Sequence, residues 1–191
     1  MNPTELNTLR RSLWLTVEQA GQLNNISPRS WRYLEDGTRP IPQDIQDRMR
    51  SLDATANAIA DAAWDEYGNL TAPCRPSHNK PGKNRPCGLA WHDIEAVLLR
   101  YPNDHELARA HPEMAGLPAS FHAAAIDRAR ILLEAEGSTV RIVTYHRPAC
   151  DAWLAEQHLP DNPAGRAAWA ASATDPAPGI GGTPSGEDFT G

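Results

Sequence analysis

Arg29, Arg32 and Tyr33 lie within five residues of one another in the run SPRSWRYLEDG, residues 27–37. Guanidinium groups can grip a guanine edge through O6 and N7 or neutralise phosphates, and a phenol can hydrogen-bond or stack. The other candidates for chemistry fail on spacing. His105 and His111 in HELARAH are six apart, whereas a helical two-histidine zinc motif needs four. The GIGG run at residues 179–182 follows no strand and opens no helix, so it cannot cradle a phosphate. Neither G-x-S-x-G nor a P-loop occurs. The expectation is a protein that is not an enzyme and carries no cofactor.

Four further residues, Cys74, His78, Cys87 and His92, have ligand chemistry. Their spacing, C-x3-H-x8-C-x4-H, lacks the C-x2-C knuckle of structural zinc sites. Residues 71–93 read better as a basic loop, in which Arg75, Lys80, Lys83 and Arg85 could graze phosphates. The charge is uneven. The formal total is −6, yet Lys and Arg roughly balance Asp and Glu over residues 1–50 and exceed them over 71–93. A nucleic-acid footprint is a local matter, so net acidity does not exclude one. No apolar run approaches the ~20 residues of a spanning helix, and MNPTELNTLRR has no apolar signal-peptide core. Three scattered cysteines fit a reducing compartment, so the expected location is the cytoplasm, with no membrane partner.

The elements that must position the basic helix announce themselves by their caps. Asn2-Pro3-Thr4-Glu5 starts a first helix with Leu6, Leu9 and Leu13 on one face. Thr16-Val17-Glu18-Gln19 is a capping box for a second, reaching about Leu23. Asn25 tolerates a left-handed backbone and makes the turn, with Ile26 as an apolar plug. Ser27 and Pro28 restart the chain as a helix that Gly37 ends. Two short helices joined by about four residues form a helix-turn-helix, and SPRSWRYLEDG is its recognition helix. Trp31 and Leu34 should face inward, since their three-residue step matches core packing better than stacking on a base. Tyr33 reads equally as a groove contact or a half-buried rim residue. Arg10 and Glu35 suit a structural ion pair tying the first helix to the third. Thr16, Ser27, Ser30 and Arg39 complete the expected DNA contacts.

The run RRSLWLTVEQAGQLNNISPRSWRYLEDGTRPIP resembles the Cro/repressor-type helix-turn-helix domain. More narrowly, SPRSWRYLEDG followed by IPQDIQDRM is similar to the YdiL-like proteins and the anti-CRISPR-associated (Aca) repressors. FHAAAIDRARILLEAEGSTVRIVTYHRPACDAWLAE resembles that family's carboxy-terminal dimerisation region. The resemblance implies a homodimeric repressor that binds an inverted-repeat operator in double-stranded DNA and controls its own operon. It places base reading on Arg29, Arg32 and Tyr33. An antitoxin-like or other protein-interaction role for the same head is the alternative.

Beyond the head, Ile45, Met49, Leu52, Ala56, Ile59 and Ala63 recur at steps of four and three, a seam along one helix from Pro42 to about Leu70. That helix could bridge the head to a separate module or pack on its own head. AVLLRY can be strand or helix, with strand favoured; HELARA is a short helix, Ala119–Glu136 a longer one, TVRIVTY a strand and ACDAWLAEQH a helix. The expected fold is mainly α with a small α+β part. Residues 1–70 form the helix-turn-helix bundle with its long fourth helix, and 71–93 the loop. Residues 94–160 form a dimerisation domain with about two strands, and 161–191 a low-complexity tail.

Overall fold

The computed structural model describes residues 1–70, with backbone only over 66–70, together with 95–135 and 137–173. Four helices open the chain: α1 (Pro3–Ser12), α2 (Val17–Leu23), α3 (Pro28–Glu35) and α4 (Gln43–Leu70). Each of the first three is started by a side-chain cap. Glu5 N–H donates to Asn2 Oδ1 at 2.9 Å while Asn2 N–H donates to Glu5 Oε2 at 2.8 Å, a closed capping box on α1. Thr16 and Gln19 repeat the device on α2, and the Ser27 hydroxyl caps α3 with Pro28 at its first position.

The turn between α2 and α3 is tight because two residues permit it. Asn25 takes a left-handed φ of 55°. Gly21, buried in α2, lets the turn fold back so closely that a Cβ there would stand 2.8 Å from the Ile26 carbonyl oxygen. Gly21→Ala should therefore destabilise the chain by about 1–3 kcal/mol through overpacking against backbone that cannot yield. Thermal unfolding measures this, and an unchanged melting temperature would contradict the close approach. Asn25→Ala should cost about 1 kcal/mol and Asn25→Gly less than that, since only the alanine pays the left-handed penalty.

Leu6, Leu13, Leu15, Ala20, Trp31 and Leu34 converge in the core of the head. The seam of α4 closes it: Ile45, Met49, Leu52 and Ala56 pack on the same cluster, and Ile59 flanks it. The seam is thus buried within the chain.

After residue 94 the fold is β1 (Glu95–Arg100), α5 (Asp104–Ala110), a 3-10 turn (Pro112–Met114), α6 (Ala119–Ala135), β2 (Thr139–Thr144), α7 (Arg147–Glu156) and α8 (Pro163–Ser172). The two strands pair in parallel, from Glu95 opposite Thr139 to Arg100 opposite Thr144. A parallel pair needs a crossover, which α5 and α6 supply. Alternation then sends the sheet's side chains two ways. Ala96, Leu98, Val140 and Ile142 face Ile126, Ala129 and Leu133 of α6 together with Ala60 of α4. Val97, Leu99, Val143 and Tyr145 face a second cluster containing Leu107, Cys150, Leu154 and Trp169. Helix α6 joins the two parts of the chain, because its Phe121 and Ala125 are fully buried in the head's own core.

Residues 163–172, expected to begin the low-complexity tail, form α8 instead. Asn162 caps it, Pro163 occupies its first turn, and Trp169 packs edge-on against Tyr145 with ring centroids 5.8 Å apart. The alanines that bias the composition also let this helix approach β1 closely. Arg141 of β2 reaches the carbonyls of Ala170, Ala171 and Ala173, a cation placed where the helix exposes unsatisfied acceptors. Residues 174–191 lie outside the described part of the chain, as do 71–94 with the basic loop, Cys74, His78, Cys87 and His92.

Candidate nucleic-acid interface

Helix α3 has a locked inner face and a free outer one. Trp31 has no solvent exposure and Leu34 is buried. The lock is polar as well as apolar, and Glu35 is its centre. Arg10 Nε donates to Glu35 Oε1 at 2.7 Å, Trp31 Nε1 donates to the same oxygen at 2.8 Å, and Asn7 Nδ2 donates to Oε2 at 3.0 Å. Arg10 also donates through Nη1 to the Leu15 carbonyl at 2.7 Å. The Arg10 and Glu35 side chains are only 11% and 10% exposed. Burial pushes the Glu35 carboxyl up, but the bonds from Arg10, Trp31 and Asn7 and the Arg10 charge outweigh it and hold the group below its ordinary value. One carboxylate thereby fixes the rotation of α3 against α1, with the tryptophan of α3 as a third strut.

The outer face carries a basic and aromatic cluster. Arg29 Nε donates to the Tyr33 hydroxyl at 2.8 Å. Arg29 Cζ lies 5.6 Å from the Tyr33 ring centroid and Arg39 Cζ lies 5.2 Å from it, so the phenol is held between two guanidiniums. Arg39 reaches this place because the chain reverses after α3. Thr38 N–H donates to Asp36 Oδ1 at 2.8 Å, Gly37 takes φ 78°, and Arg39 N–H donates back to the Tyr33 carbonyl. Tyr33 is half-buried, and Arg29 and Arg39 are exposed.

Arg32 stands apart from that cluster. Its guanidinium faces Glu18 of α2 at 3.6 Å, with both side chains more than half exposed. An exposed pair of this kind contributes little to stability and leaves the arginine able to exchange its partner. The hydroxyls of Ser27 and Ser30 are 2.9 Å apart at the amino-terminal end of α3, and Thr16 occupies the same position on α2. These helix ends carry free N–H groups and partial positive charge, which suits phosphate oxygens. The structure thus gathers Arg29, Tyr33 and Arg39 at one spot and Ser27 with Ser30 beside it, while Thr16 and Arg32 associate with α2. Arg10 and Glu35 lie behind them, turned away from solvent.

Residues 1–73 match the Aca2/YdiL-like family, a span that ends just past α4. The likeness is confined to the amino-terminal region. Within the chain, 53 residues are 36% identical to the Aca2 repressor of Pectobacterium phage ZF40. That match takes in 27% of this chain and 46% of the phage protein, so the chain spans about half the length of this relative. Everything from β1 onward lies outside the Aca2/YdiL-like segment, although Phe121 and Ala125 complete that segment's core. No described helix is long and apolar enough to cross a membrane.

Proposed function

We propose that this protein is a transcriptional regulator, a homodimeric repressor of its own operon that reads an inverted-repeat operator in double-stranded DNA through α3. The observation that carries the reading is the pairing of faces on that helix. Trp31, Leu34 and Glu35 hold it in one orientation, and Arg29, Tyr33 and Arg39 stand together on the opposite, solvent-facing side. The Aca2/YdiL-like match over the same residues and the repressor name of the phage relative support it.

Roles follow from position. Arg29, on the second residue of α3, reads a base edge, with Tyr33 orienting its guanidinium. Arg32 and Arg39 take phosphates, as do the helix ends at Thr16, Ser27 and Ser30. Dimerisation belongs to residues 94–160. The two-stranded sheet has no further strand on either edge among the described residues, and Ile131 and Leu132 of α6 are 52% and 45% exposed. Free edges and exposed aliphatic residues favour pairing with a second copy. The work is done in the cytoplasm.

Footprinting of the purified full-length protein on the DNA upstream of its own gene tests this. Two protected half-sites should appear with centres about 34 Å apart, one helical turn. Sedimentation should give a dimer at micromolar concentration. A monomer, or an upstream region without any protected site, would contradict the proposal.

A further inference from the structure

A cavity of about 660 Å³ opens between α4, α6, β1 and α8, well away from the outer face of α3. Its size falls within the ~300–1,000 Å³ of small-molecule sites. Most of its wall is apolar, with Ile59 and Ala62 from α4, Val97 and Leu99 from β1, Ile126 from α6 and Ala170 from α8. His122 of α6 also lines it, 4% exposed.

His122 stands out because the fold leaves it unpartnered. Its Nδ1 is fully enclosed with no hydrogen-bond partner among the described residues. Tyr101 lies edge-on to its ring at 5.3 Å and the His111 ring is 5.8 Å away, but neither bonds to it. The Tyr101 hydroxyl is 3.1 Å from His111 Nε2, and His111 Nδ1 is 3.0 Å from Glu113 Oε1. Burial, followed by the nearby His111 and Arg100 charges, pushes the His122 pKa down to about 4, so the ring is neutral at pH 7. An enclosed orphan N–H is costlier to accept than an enclosed lone pair, which puts the single proton on Nε2. Nε2 is the nitrogen left to serve the cavity, as a donor without an acceptor.

We propose that this cavity binds a small, largely apolar molecule bearing a carbonyl or carboxylate oxygen, which accepts a hydrogen bond from His122 Nε2. The surroundings select against a cationic ligand. Arg166, a cation on the wall, donates to Asp161 at 2.6 Å and to the Ala110 carbonyl at 3.1 Å, while its Nε is enclosed with no hydrogen-bond partner among the described residues and gives the wall a second spare donor. Glu95 and Glu113 also line the cavity, but Arg141 at 2.8 Å and His111 at 3.0 Å already engage them. An ammonium would face the donor Nε2–H.

The site is placed to act as an effector site. On α6, Phe121 and Ala125 lie in the core of the head while the adjacent His122 and Ile126 line the cavity. On α4, Leu52 and Ala56 lie in that core while Thr55 and Ala62 line the cavity. An occupant touches both helices that complete the head.

Titration of the full-length protein, labelled at histidine nitrogens and isoleucine methyls, with 2-octanone tests the site without requiring that the protein bind DNA. The His122 ring nitrogens and Ile126 methyls should shift and saturate. The exposed Ala62→Trp change, which fills the cavity from its rim, should weaken binding at least tenfold, and His122→Phe, read through Ile126, should do the same. Octylammonium should bind at least tenfold more weakly than the ketone. Unmoved signals at millimolar ketone, an equal response in Ala62→Trp, or tighter binding of octylammonium than of the ketone would overturn the assignment. Signals that move with protein dilution and ignore the ketone would put a second copy in the cavity, and overturn it as well.

Discussion

Glu35→Ala should lower stability by about 3–5 kcal/mol, the loss seen when one partner of a buried ion pair is removed. Three donors converge on this carboxylate, from Arg10, Trp31 and Asn7, and all three would be left without it. Arg10 would be the most exposed to the loss, because its guanidinium stays enclosed and charged beside α1. Arg10→Ala should also destabilise, and both variants should lose DNA binding in step with their melting temperatures, because α3 loses its fixed orientation. Glu35→Gln should cost less than Glu35→Ala, since an amide oxygen still accepts from Trp31. The pH dependence has a definite sign. The folded carboxyl is held below its ordinary value, so its contribution is fully present above the ordinary carboxylate range and is lost as pH falls through the lower folded value. Wild type should therefore lose stability in acid more steeply than Glu35→Gln. Chemical denaturation at neutral and acid pH measures both effects. An Arg10→Ala variant that melts and binds like wild type would remove the structural role.

Arg29→Ala should leave the fold intact and weaken operator binding by about 1–3 kcal/mol per half-site, roughly 5- to 150-fold at each. The side chain is exposed and, among the described residues, hydrogen-bonds only to Tyr33, so its removal creates no cavity. Tyr33→Phe should give a smaller loss of the same kind, by freeing the guanidinium it orients. Arg39→Ala should behave differently. A lost phosphate contact weakens all sequences alike and reduces the slope of log affinity against log salt by about one unit. Binding isotherms at several salt concentrations separate the two roles.

The helices of the head are legible in sequence because their signals are local. The Thr16–Gln19 box, Ser27 with Pro28, and Gly37 each satisfy a backbone group within three or four residues, so the chain states them without reference to the rest of the fold. The burial of Trp31 and Leu34 follows from a three-residue step in the same way. What depends on distant partners is not legible. The seam of α4 has the same spacing whether it bridges to a separate module or packs on its own head, and only its packing against Leu6, Leu13, Trp31 and Leu34 decides for the latter. The parallel pairing of β1 with β2 joins residues more than forty apart. Helix α8 did carry a local signal, Asn162 before Pro163, but an alanine-rich composition masked it, and Trp169 gains a partner only when Tyr145 arrives from another element. The cluster of Arg29, Tyr33 and Arg39 is half legible. The first two are one turn apart on a helix, while the third depends on the reversal at Gly37. His122 sits in an unbroken apolar run, and nothing in that run marks it as unpartnered.

Selection of binding sites from random double-stranded DNA, run in parallel with wild type and Arg29→Ala, tests most directly the claim that α3 reads sequence. Wild type should enrich an inverted repeat with half-site centres one helical turn apart, and Arg29→Ala should enrich the same repeat with preference lost at a single base position in each half. Recovery of an identical motif at undiminished affinity by Arg29→Ala would show that α3 is not the reader.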